Sequence, residues 1–253
     1  MLNHQQLALE DCHLPKAFKG CVANFCHPKI WSSLPHILAA NPKAWGTVGF
    51  HPKFWKLSTP YRINTVMPDL IASNRSRVVA VGEVGLDSFH DNELLPQIPL
   101  LESMYKLAVT SQVPIVIHSR DASKQCFDVL RRELPAYHHI HMHCFMGGGG
   151  WKEAMPFMHN FSNVYFGVTG FISKPNKREI IEDLIQHLPF DRLLLETDAP
   201  LIWHERVNKP IIPNPGHVLY QAMSVSELTG RKLVDVCNQT TYIMQCECTT
   251  CQT

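Results

Sequence analysis

No stretch of this 253-residue chain is apolar for long enough to cross a bilayer, which argues against a membrane-spanning protein. The N-terminal MLNHQQLALEDCH has neither the basic start nor the apolar centre of a secretory signal. Neither sign of charge dominates. Lys and Arg total 23 against 22 Asp and Glu, a net charge of +1. Bulk attraction to a polyanion is therefore excluded as a binding principle, although a local basic patch is not. Repeats, low-complexity blocks and long linkers are absent, and with them solenoid and tethered architectures. A disulfide framework is missing as well. The nine cysteines are an odd number, and Cys21, Cys126, Cys144 and Cys237 stand singly inside apolar runs, as reduced buried thiols do. These features predict an intracellular chain, in nucleus or cytoplasm, with no membrane partner. The tail, Cys246-x-Cys248-x-x-Cys251, offers three ligands where a structural zinc site needs four, so it reads as a solvated end.

What is present is a regular alternation. Apolar residues make up 45% of the chain, enough for a sizeable core. Strand-like runs occur at GCVANF (20–25), WGTVGF (45–50), RVVAVG (77–82), PIVIH (114–118), HIHMHCF (139–145), NVYFGV (163–168) and DRLLLE (191–196). Helical spacing separates them at 30–40, interrupted by Pro35, and at 64–75, 94–112, 151–160 and 177–188. Asp121 or Ser123 can cap a further helix ending near 133. Two helices, near 215–229 and 231–244, close the pattern, with Gly230 suited to a C-cap between them. Strands alternating with helices predict a parallel sheet of the TIM (β/α)8 type. Seven strands are visible where a closed barrel needs eight, so the strand before GCVANF is missing or altered. Residues 1–19 then form an N-terminal segment, 20–245 the barrel, and 246–253 a flexible tail.

Five of the seven runs end at or near a group able to bind metal: His51, Glu83, His118, His143 and Asp198. Acids and histidines make up 37 of the 253 residues. With two or three positions of slack, so many hits by chance are on the order of a few per cent. Each residue also has a plainer reading. Glu83 could cap a helix or pair on the surface, and His118 alone suits a hydrogen-bonded structural role. Asp198 and His51 each precede a proline and could simply turn the chain. As a set they point to a divalent-metal hydrolase, in which imidazoles hold a transition ion and a carboxylate takes a proton from water. His139, His141 and His143 alternate along one strand and share a face. His143 lies nearest the strand end, and the other two read as polar core or bottom-face residues. Arg120 could hold a phosphate by bidentate hydrogen bonds, or pair with Asp121. His51 is a second candidate for substrate contact.

GEVGLD, PIVIHSR, HCF with its trailing glycines and LLLETDAP, in this order, resemble the TatD-related metal-dependent DNases, a branch of the amidohydrolase-like barrels. The likeness runs from about residue 20 to 245 and includes GFHP at 49–52; FKGCVANFCHP resembles animal members most. It implies a barrel that hydrolyses DNA phosphodiester bonds with one or two divalent ions (Mg, Mn or Zn), as an exonuclease-type enzyme in DNA catabolism or repair. Glu83 would be the metal-bridging carboxylate. His118 and His143 would ligate one ion, Asp198 would bind metal and accept the water proton, and His51 and Arg120 would contact phosphate. The partner implied is DNA, and a monomer is expected.

One part of the family pattern is absent. Its first strand carries Asp-x-His-x-His, supplying two more ligands, whereas here Asp11-Cys12-His13 imitates only a fragment and His4 stands alone. The expectation is a chain truncated before the barrel, or a lost motif, with one metal subsite in doubt. Two other functions follow. One is a catalytically impaired barrel that binds nucleic acid or protein; the other, disfavoured by GEVGLD and ETDAP, is a metallohydrolase of small amides or esters.

Overall fold

The structure, a computed structural model, describes residues 9, 14–89, 93–145, 150–207 and 211–249. Seven strands form one parallel sheet whose spatial order is the chain order. They are β1 (Cys21–Phe25), β2 (Ala44–Val48), β3 (Val78–Asp87), β4 (Ile115–Arg120), β5 (Ile140–His143), β6 (Val164–Val168) and β7 (Leu193–Leu195). Parallel neighbours need a crossover, and helices supply it. These are α1 (Leu34–Ala40), α2 (Met67–Ser73), α3 (Ile98–Ser111), α4 (Ser123–Glu133), α5 (Trp151–Asn160) and α6 (Pro175–His187). Helices α7 (Val218–Thr229) and α8 (Leu233–Thr249) follow the last strand. The strands read as apolar runs because both faces are covered, with Val48, Val81, Ile115, Ile117 and Phe166 all fully buried.

The sheet curls as barrel strands do, yet among the described residues β1 pairs only with β2 and β7 only with β6. The seven-strand reading is thus realised among the described residues. Helix α8 packs against β7. No helix among the described residues is long and apolar enough to cross a membrane.

Several local expectations need correction. Pro35 does not interrupt a helix: a 3-10 segment (Pro28–Ser33) precedes it, and Pro35 occupies the first turn of α1. Proline fits there because the first-turn N–H groups have no intrahelical partner. Neither Asp121 nor Ser123 caps α4, whose N-cap is the buried Ala122 with no side-chain hydrogen bond. Strand β3 continues through the whole GEVGLD motif to Asp87, since its pairing with β4 resumes at Val84 beyond an irregularity at Gly82-Glu83. Gly230 ends α7 in the left-handed region, φ 68°, as expected. Helix α8 runs to Thr249, past the expected end of the barrel region at 245. His4, Asp11, Cys12, His13 and the side chains of the cysteine tail lie outside the described residues.

Candidate active site at the strand C-terminal ends

Register brings the chemistry together. On neighbouring strands, Gly85 of β3 pairs with His118 of β4, and His118 pairs with His143 of β5. His51 follows β2, and Asp198 follows β7. In a parallel barrel-type sheet these positions share one end. A cavity of about 2370 Å³ takes in Glu83, His118, His143, His51 and Asp198, together with Arg120, and extends along the strands to Val79, Pro114 and His139 at their other end.

Glu83 is the centre. Its Oε1 lies 2.7 Å from His118 Nδ1, 3.7 Å from His143 Nε2 and 3.9 Å from His51 Nε2. Burial pushes the Glu83 carboxyl up, but His143, His118 and His51 outweigh it and hold it down at about 2. His118 is held between two acids, since its Nε2 lies 3.5 Å from Asp87 Oδ2. Burial lowers the His118 pKa, and Asp87 and Glu83 reverse that, leaving it raised. Burial dominates at His51 and pushes it down to about 4, so its imidazole is neutral near pH 7 and free to act as a ligand.

His143 joins this group to a second one. Its Nε2 is 3.6 Å from Asp198 Oδ1, and its Nδ1 is 3.1 Å from Glu196 Oε1. His141 Nε2 also approaches Glu196, at 2.5 Å. Burial disfavours charge on both partners, yet the His143 pKa is raised well above 6.5, by Glu196 first, and that of Glu196 is lowered by the two imidazoles. Glu196 Oε2 accepts the Cys144 N–H at 2.8 Å. Asp198 itself sits at φ 47°, a left-handed conformation that Asp tolerates better than most residues.

The structure therefore gathers Glu83, His118, His143, Asp198 and His51 into one cluster. His51 is part of the cluster, its Nε2 3.9 Å from Glu83 Oε1. His51, Glu83 and His118 each offer a ligand atom within 4.8 Å of the others. That donor set, two imidazoles and a carboxylate, suits a transition-type divalent ion. Arg120 stays at the exposed rim, its guanidinium 3.4 Å from the centroid of the Phe89 ring. Sequence reasoning missed Asp87 and Glu196 as members. Asp87 was legible by parity, four residues after Glu83 on a strand, and Glu196 by standing two before Asp198. His141, read as polar core or a bottom-face residue, lines the cavity and reaches Glu196.

Fold and site together define an α/β barrel-type protein whose strand ends converge on a carboxylate–imidazole cluster. Solved structures agree on the fold. The TatD homolog YJJV from Escherichia coli superposes with a TM-score of 0.80 at 23% identity, covering 90% of this chain and 86% of that one. A TatD family hydrolase from Entamoeba histolytica gives 0.75 at 18% identity, over 90% and 84%. The sequence model of the TatD related DNase family matches residues 9–245, and the chain belongs to that family. Among its relatives is the human 3'-5' RNA nuclease TATDN2, 30% identical over 224 residues, which are 87% of this chain but 29% of that protein. The 3'-5' ssDNA/RNA exonuclease TatD of Salmonella typhimurium is 29% identical over 163 residues, 64% of this chain and 60% of the relative. The chain thus spans less than two thirds of the length of either relative.

Proposed function

We propose that this protein is a metal-dependent nuclease that hydrolyses phosphodiester bonds of single-stranded nucleic acid from a 3' end. The observation that carries the reading is Glu83, a buried carboxylate ringed by three imidazoles, with Asp198 beside the third. Family membership and the nuclease names of the relatives support the substrate class. DNA is the substrate implied by the motifs, and RNA is the competitor that those names add.

Glu83 and His118 would hold a divalent ion together with His51 of the compact group and His143 across from it, and Asp198 lies beside His143. Such an ion supplies Lewis acidity toward the phosphoryl oxygen and acidifies bound water. Asp198, at the cavity wall, accepts the proton of the attacking water. Arg120, its guanidinium against Phe89 at the rim, would hold a phosphate of the strand.

The test uses purified protein on 5'-labelled single-stranded DNA and RNA with Mg²⁺, Mn²⁺ or Zn²⁺, beside Asp198→Asn. We expect stepwise shortening from the 3' end, abolished by EDTA, with turnover reduced at least ~100-fold in the variant. Equal turnover in the variant would remove Asp198 from the mechanism. A second reading is a barrel that binds nucleic acid without cutting it, since no His-x-His pair precedes GCVANF in the sequence. Retention of an oligonucleotide by folded protein with no shortening under any of the three ions would select it.

A further inference from the structure

Glu196 belongs to no expected ligand set, yet the fold makes room for it with care. It follows β7 directly, and its carboxylate lies over Gly167 of the neighbouring strand β6. A Cβ at position 167 would overlap the Glu196 carboxylate, so glycine there is a cradle for this one side chain. One oxygen is pinned by the Cys144 N–H at 2.8 Å. The other lies 3.1 Å from His143 Nδ1. The opposite face of that ring presents Nε2 to Glu83 at 3.7 Å and to Asp198 at 3.6 Å.

We propose that Glu196 is a positioning residue that fixes the ring orientation and tautomer of His143. Held by Glu196, the His143 Nδ1 keeps its proton, so that Nε2, on giving up its own proton to an incoming ion, presents its lone pair on the side of Glu83 and Asp198. This is the carboxylate–histidine arrangement that orients metal-ligating imidazoles and raises their basicity. Glu196 acts through His143 rather than on the reacting atoms, and the oxygen that faces His143 is steadied by His141 Nε2 at 2.5 Å. The Cys144 N–H gives the carboxylate a fixed direction, and the lack of a side chain at Gly167 leaves it the space it occupies. The inference rests on the reading of His143 as a ligand in the nuclease site.

The experiment is a Zn²⁺ titration of ¹⁵N-histidine-labelled protein, wild type beside Glu196→Gln and Gly167→Ala, with kcat and KM measured for each. Circular dichroism confirms that each variant is folded. In the wild type, Zn²⁺ shifts His143 Nε2 while Nδ1 retains its proton. In Glu196→Gln, Zn²⁺ affinity and kcat each fall 10–100-fold while KM for the oligonucleotide holds, because the nucleic-acid contacts are untouched. Gly167→Ala reproduces the loss with Glu196 still present, and serves if the first variant does not fold. Unchanged Zn²⁺ affinity in both variants, or Zn²⁺ on Nδ1 of His143, overturns the positioning role. A weakened Zn²⁺ response without any hydrolysis by the wild type keeps that role and overturns the nuclease reading. A wild-type His143 that ignores Zn²⁺ overturns both.

Discussion

A methyl group added at Gly85 would overlap the carbonyl oxygen of His118 on the adjacent strand. The position also holds φ +158°, which side chains rarely adopt. Glycine at this point of the GEVGLD motif lets β3 and β4 approach closely enough for Glu83 to reach His118. Gly85→Ala should therefore cost about 1–3 kcal/mol through overpacking and part the two site residues. Urea unfolding measures the first effect, and the loss of nuclease turnover the second. Unchanged stability would mean that β4 moves aside freely. Most of the site was legible at this scale, because an acid or imidazole directly after a buried strand is expensive without a partner. Glu83, His118, His143 and Asp198 all meet that description. The pairings were not legible. That Glu196 turns toward His143 and His141, while Asp87 turns toward His118, follows from register between strands far apart in sequence.

Among the elements, the join between α7 and α8 isolates a purely conformational effect. Gly230 lies in the left-handed region, and a Cβ there would meet nothing within 4 Å. Gly230→Ala should then cost about 1 kcal/mol, from backbone strain alone. A differential-scanning melt checks it, and a cost of several kcal/mol would require a contact that the site lacks. Gly230 was readable in advance since glycine after a helical run has a single common use. Pro35 was not, because the same residue breaks a helix interior and opens a helix first turn. Which applies depends on where the preceding segment ends, and Pro28–Ser33 ends it as a 3-10 turn. The length of β3 escaped for a related reason: GEVGLD has few strand-forming side chains, and pairing with β4 keeps it extended.

For the whole molecule, acid stability should reflect a histidine remote from the cluster. His204 is buried; its Nε2 lies 3.0 Å from Ser224 Oγ, and its Nδ1 accepts the Arg206 N–H at 3.2 Å. Burial lowers its pKa to about 4. The unfolded chain thus binds a proton more readily between about pH 6.5 and 4, so stability falls as pH falls through that window. His204→Gln should flatten this dependence by on the order of 1–3 kcal/mol, read from urea midpoints at pH 7 and pH 4. Equal slopes in both proteins would assign the acid sensitivity elsewhere, to His138 among others, which burial also lowers to about 4.

The alternation of apolar strands and amphipathic helices by itself determined a parallel α/β sheet of seven strands in chain order. Such strands must be covered on both faces and joined by crossovers. The strand-end acids and imidazoles determined which residues could meet, and the ordered motifs determined the family. Only the tertiary structure decided that His51 joins Glu83 and His118 in one compact group and that Arg120 stays at the rim. It alone showed Glu196 seated over Gly167. The physical reason is that a strand pattern specifies which face a residue takes, whereas distance across the site depends on register and curl summed over seven strands.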